Sequence, residues 1–182
     1  VALSPDLLAD SEIEKAPVAG ALELTATSIT AQGLGNITED THSYTTGAMS
    51  SATRLNLSIK ETPQSVSVVT RQQMDDFKLT SLSEAMRQTT GIVVQHNDSD
   101  RVSYSARGYP INNFQIDGML NTFGRMKSDS DTIIYDRIEV VRGATGLTTG
   151  AGDPSATINM VRKRPTAQWQ ALAGVSGGSY DN

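Results

Sequence analysis

From about residue 61 onward, short β-branched runs alternate with turn residues, whereas the chain before that point shows almost no periodicity. Residues 1 to about 56 are rich in Ala, Thr, Ser, Gly and Glu, with brief apolar alternations only at Leu22-Glu23-Leu24 and Ile29. Such a composition buries too little to offset its own ordering, so an extended, partly disordered segment is expected there. Pro63 forbids a helix interior, and Val66, Val68 and Val69 then favour a strand. Thr70 is placed to cap a short helix through Met74 and Phe77, and Ser81 with Glu84 forms a capping-box pattern ahead of Ala85 and Met86. Gly91 is expected to end this second helix. Ile92-Val93-Val94 reads as a strand, and the polar, aperiodic stretch from His96 to Ser103 as an exposed loop. Further strands are expected at Tyr104 to Arg107, Phe114 to Asp117, Ile138 to Arg142, Thr157 to Arg162 and Trp169 to Ser176. The fold class is α+β: a small mixed β-sheet with short helices and long loops, preceded by the extended N-terminal segment. Loops this long in so small a domain usually carry function.

Composition narrows the function. In 182 residues, only 37% are apolar and 5% aromatic, which fits one folded unit with a small core and a need for a covering surface. The net charge of -5 and the absence of a concentrated basic face argue against nucleic acid as a partner. With no cysteine in the chain, disulfides, thiolate metal sites and Cys nucleophiles are excluded. No run approaches the roughly 18 apolar residues of a membrane-spanning helix. The chain opens without Met or a signal-peptide pattern and stops at Asn182 directly after a strand-like run. It is expected to be a piece of a larger, processed or cytosolic protein.

Several spaced motifs point to one family. Arg107-Gly108-Tyr109, Asn112-Asn113-Phe114, Ile116-Asp117-Gly118 and the run from Tyr135 to Gly143 resemble TonB-dependent receptor plugs. So do Gly146, Gly150-Ala151-Gly152, Ile158-Asn159 and Arg162 to Pro165, with Glu61 to Thr70 and Met86 to Ile92 upstream. The resemblance runs from about residue 53 to the end, and at Ser105 to Gly108 and Tyr135 to Gly152 it is to ferripyoverdine-type siderophore receptors.

That resemblance implies a plug inside its own outer-membrane β-barrel, importing a ferric siderophore with energy from TonB, and with its N-terminus in the periplasm. It divides the chain into a linker over 1–21, a TonB-box segment and tether over 22–52, the plug over 53–166 and the start of a first barrel strand over 167–182. Residues 1–21 are either a plain linker or the tail of an upstream signalling domain. A lean core and hydrophilic walls suit a polar barrel lumen. Arg107 and Arg142 each follow a strand and precede a glycine, and the resemblance implies ion pairs with barrel carboxylates. Leu24, Thr25, Ala26, Thr27, Ser28, Ile29 and Thr30 resemble a TonB box, which adds a strand to the edge of TonB's sheet.

Ligand contacts are expected from the loops Asn97 to Tyr104, Tyr109 to Asn113 and Asn121 to Lys127. The candidates are Arg101, whose forked donor suits siderophore oxygens, with Tyr104, Tyr109, Asn113, Arg125 and Met126. No cofactor is expected; iron arrives already chelated. Two other readings stand beside import: a module signalling to a periplasmic anti-sigma regulator, and a haem or cobalamin receptor, for which His96 is the only loop histidine on hand.

Enzyme chemistry finds no support. Gly143 to Gly150 lacks the Gly-Lys-Ser/Thr ending of a phosphate loop, and the Asp98/Asp100 and Asp129/Asp131 pairs lack calcium-loop spacing. His42 and His96 have no companions at metal-ligand spacing, and there is no serine nucleophile elbow.

Overall fold

The computed structural model describes residues 36–98, 101–121, 129–144, 146, 150, 154–169, 171, 173 and 175. Among these residues, eight strands and two helices follow the order β1 (Ser65–Thr70), α1 (Arg71–Asp76), α2 (Leu82–Arg87), β2 (Val93–His96), β3 (Val102–Ala106), β4 (Tyr109–Pro110), β5 (Asn113–Ile116), β6 (Met119–Leu120), β7 (Tyr135–Arg142) and β8 (Ala156–Arg162). They form a five-stranded sheet ordered β1-β7-β8-β5-β6 and a three-stranded sheet ordered β2-β3-β4. The larger sheet is mixed: β5 and β8 run parallel, and the remaining pairs antiparallel.

Local chemistry explains the short elements. Thr70 caps α1 by accepting from the Gln73 amide, and Ser81 and Glu84 close a full capping box on α2. α2 ends at Arg87, short of Gly91, because Gln88 already caps it. The hairpins β3–β4 and β5–β6 turn on two residues each, Arg107-Gly108 and Asp117-Gly118, all four with positive φ. These are the primed turns whose twist matches the flanking strands. The expected loop from His96 to Ser103 shrinks to a tight connection, since β2 and β3 pair as far as His96 and Val102 and the Asn97 amide donates to the Arg101 carbonyl at 2.9 Å.

β7 is the hub, flanked by β1 and β8. Alternation sends Ile138 and Val140 to one face, where they join Ile158, Met160 and Phe114 beneath Met74, Leu82, Ala85 and Met86 of the helices. This is the main apolar core. The other face carries Arg137, Glu139 and Val141 and is covered by residues 36–60, which thus pack as a strap where a loose segment was expected through residue 56. Met49, Ser51 and Ala52 of the strap are buried, and Met49 exchanges backbone bonds with Leu57 at 2.8 and 3.1 Å. The strap has little regular structure, which is why periodicity did not reveal it. Of the strand expected over Trp169 to Ser176, residues 169, 171, 173 and 175 carry no strand, and the others lie outside the described residues.

Candidate functional site

At the end of the sheet where β7 finishes, two arginines meet two glycines. Arg107 occupies the αL half of its turn, and its guanidinium lies over Gly143, so close that a Cβ there would stand 3.3 Å from Nη1. Arg142, the residue before Gly143, lies over Gly91, where a Cβ would stand 3.4 Å from Nη1 and 3.5 Å from Cδ. The Arg142 Nη1 donates to the Thr90 carbonyl, while its Nε is buried without a partner. Among the described residues neither guanidinium meets a carboxylate.

The candidate ligand residues do not converge. Arg101 is exposed and folds back on its own hairpin, where its Nε and amide donate to Asp98 at 2.6 and 2.8 Å. Tyr109 is half exposed on β4, and Asn113 opens β5 opposite Thr157. β3 separates Arg101 from Tyr109 by its full length, about 17 Å at strand rise. Tyr104 differs from expectation: alternation along β3 turns it into the core, 4% exposed, with its ring edge-on to Phe114 at 5.7 Å. Burial, with the Asp129 carboxylate nearby, pushes its phenol pKa up. Arg125, Met126 and the TonB-box residues Leu24 to Thr30 lie outside the described residues.

Sequence reasoning missed a third constellation, on the strap-covered face. Glu139 is fully buried; its carboxylate takes Arg137 Nε at 2.6 Å and the Ser51 hydroxyl. Arg137 also bridges to Asp136 at 2.8 Å, and Asp136 accepts the amides of Thr38 and Glu39 at 2.9 and 2.7 Å. Ser51 in turn accepts from Asn159 Nδ2 at 2.6 Å, and Asn159 Oδ1 takes the Gly118 amide at 2.9 Å. The three charged groups are all hydrogen-bonded, as burial demands. The available signal was Asp136-Arg137-Ile138-Glu139, charges of both signs inside an apolar strand. Beside this network lies a polar cleft of about 200 Å³ lined by Ser50, Ser51, Arg54, Gln115, Asp117 and Gly118. Among the described residues no group of three or more His, Asp or Glu is placed to hold a metal ion.

The architecture is a small mixed sheet with one helical face and one polar face covered by the strap. Residues 58–157 match the TonB-dependent Receptor Plug Domain, and the chain belongs to that family. It is 51% identical over 166 residues to the ferripyoverdine receptor of Pseudomonas aeruginosa, covering 88% of this chain and 20% of that protein. The ferric-pyoverdine 358 receptor of Pseudomonas putida is 49% identical over 167 residues, covering 89% and 20%. Among solved structures, the pyoverdine outer membrane receptor FpvA from Pseudomonas aeruginosa PAO1 bound to pyoverdine aligns with a TM-score of 0.70 at 53% identity, over 80% of this chain and 22% of that one. The alcaligin outer membrane receptor FauA from Bordetella pertussis aligns at 0.65 and 51%, over 74% and 24%. The chain spans about a fifth of the length of the curated relatives it matches. Those relatives are receptors, not enzymes.

Proposed function

We propose that this chain is the plug of an outer-membrane receptor that binds and imports a ferric siderophore of the pyoverdine class, driven by TonB. The observation that carries this reading is the 51% identity to a ferripyoverdine receptor across nearly the whole chain, far above what the fold alone requires. The geometry is consistent with it. A plug has to be seated in its barrel by contacts that can be undone, and Arg107 and Arg142 offer fixed guanidinium faces for bidentate pairing with barrel carboxylates. Leu24 to Thr30 would serve as the TonB box, on the same N-terminal side as the strap. Ligand would be met through Arg101, Tyr109 and Asn113, together with Arg125 and Met126. Tyr104 would support these residues from inside the core rather than touch the chelate.

The test is a panel of ferric siderophores, pyoverdines included, titrated against the full-length receptor by quenching of chromophore fluorescence, with and without Arg101→Ala. Tight binding of one pyoverdine class, weakened by the substitution, is the expected result. Failure to bind any ferric pyoverdine would overturn the assignment; binding unchanged by Arg101→Ala would remove that residue from the site alone.

A further inference from the structure

Ligand residues that lie apart have to be fixed relative to one another by something beneath them. Arg101 immediately precedes β3 and Tyr109 opens β4, so both ride on the three-stranded sheet β2-β3-β4, which shares no strand with the larger one. Tyr104 lies midway along β3 and points inward, with its ring edge-on to Phe114. Its hydroxyl is buried and makes no hydrogen bond. An idle buried hydroxyl is costly, and native interiors rarely keep one without a use.

The group that could use it is Asp129, which belongs to the helical cover. Asp129 Oδ1 accepts the amides of Ser83 and Ser130 at 2.9 and 3.1 Å, and Oδ2 accepts the Ser83 hydroxyl at 2.5 Å. The residues that follow are stitched to the connection between the helices. The Ser130 carbonyl accepts from the Leu82 amide at 2.7 Å, and Thr132 donates its amide to Thr80 at 2.9 Å and its hydroxyl to Leu79 at 2.6 Å. A carboxylate offers about four acceptor positions, so these bonds leave Oδ2 able to take one more. Burial first, and the Asp129 carboxylate second, raise the Tyr104 phenol. A donor without an acceptor and an acceptor with room for a donor therefore stand close together, one on the small sheet and the other on the helices.

We propose that Tyr104 and Asp129 are positioning residues for the ligand: when a ferric siderophore engages Arg101 and Tyr109, the small sheet settles against α2 and the Tyr104 hydroxyl donates to Asp129. The inference rests on the import reading above. The bond is made only in the liganded receptor, so its free energy adds to affinity and not to the stability of the empty plug. It holds the sheet at one height over the helices, and so holds two residues that β3 keeps far apart in a single arrangement around the chelate.

The experiment titrates ferric pyoverdine against the full-length receptor carrying Tyr104→Phe, Asp129→Asn or both. Asp129→Asn keeps an acceptor for the Ser83 amide and replaces the spare acceptor with a donor, to which a phenol cannot donate. Tyr104→Phe should bind about tenfold more weakly, the worth of one hydrogen bond to a charged group. Hydrogen exchange of the β2–β3 amides in its empty receptor should match the native, because no bond is lost there. Tyr104→Phe should add no further loss in the Asp129→Asn background, as partners in one bond require. With tyrosines labelled at Cζ, the resonance that Tyr104→Phe removes should shift on binding in the native receptor and stay in place in Asp129→Asn. Unchanged affinity in Tyr104→Phe, additive losses, or a resonance that binding does not move would overturn the positioning role alone. So would faster exchange in the empty Tyr104→Phe receptor, since the hydroxyl would then already be bonded without ligand. A native receptor that binds no ferric pyoverdine would overturn the import reading and this inference with it.

Discussion

Gly143 shows how backbone and side-chain demands fall on one residue. Its φ of 111° is open to glycine and strained for any other residue, and the space a Cβ would take is occupied by the Arg107 guanidinium. That neighbour is the end of a flexible side chain, so it can move aside, but the backbone strain remains. Gly143→Ala should therefore cost about 1–3 kcal/mol, read as a lower urea midpoint of the chain. It should also displace Arg107 from its seat. Arg107→Lys keeps the charge and loses the flat face that covers the glycine, so it should uncover Gly143 with a smaller change in midpoint. Equal midpoints for Gly143→Ala and the native chain would show that the backbone relaxes out of the strained region.

Residue chemistry was legible in the sequence wherever it was local. Thr70, Ser81 and Glu84 announced their caps because a cap is written within four residues. Glu139 and Tyr104 were not legible, since their roles depend on which face of a strand is buried and by what. Glu139 sits under Ser51, 88 residues away, and no local pattern encodes that distance. Tyr104 closes a polar neighbourhood of the sequence, and it points inward with Val102 and Ala106 only because that face of β3 is the one the fold buries.

Among the elements, β7 and β8 were recognisable from their β-branched runs, though β7 begins three residues before Ile138 because Asp136 and Arg137 are buried charges that read as a loop. The strap was missed altogether. It lacks periodicity because its contacts are individual hydrogen bonds rather than a repeating apolar face. One of them joins it to α1: Tyr44 donates to Asp76 Oδ2 at 2.7 Å, while Gln72, one turn back, donates to both Asp76 oxygens at 2.9 Å. Donation by Gln72 first and Tyr44 second holds the Asp76 carboxyl below its ordinary value, and the same contact raises the Tyr44 phenol.

The signs fix the pH window of this tether. A depressed carboxylate contributes stability above its unfolded pKa and loses it as pH falls through the folded value; a raised phenol contributes below its unfolded pKa and loses it as pH rises through the folded value. The strap-to-α1 contact is therefore complete across the neutral range and fails at both extremes. Tyr44→Phe should raise the Asp76 pKa and abolish the alkaline limb; Gln72→Ala should raise it further. Carboxyl chemical shifts followed through an acid titration give the ordering, and a larger effect from Tyr44→Phe would contradict it.

At the scale of the molecule, two kinds of cohesion share one sheet. The helical face holds the large apolar cluster that includes Ile138, Val140, Ile158 and Met160, all at 0% exposure. The strap face holds a smaller apolar cluster around Met49 and Ala52, and a charged network. Buried ion pairs confer geometry more than stability, because desolvation offsets much of their attraction. The strap should accordingly be the less stable unit, opening while the core stays folded, as sub-global units do. Native-state hydrogen exchange in increasing denaturant separates the two. The amides of Met49 and Leu57, which bond each other across the strap, should exchange through an opening of lower free energy and smaller denaturant slope than those of Val140 and Ile158. Severing the network with Arg137→Ala, which leaves Asp136 and Glu139 buried without their cation, should lower the strap opening most, by about 3–5 kcal/mol for an uncompensated buried charge. Convergence of strap and core amides onto one isotherm in the native chain would mean that the sheet binds its two covers as a single cooperative unit, and that the strap has no separate opening of its own.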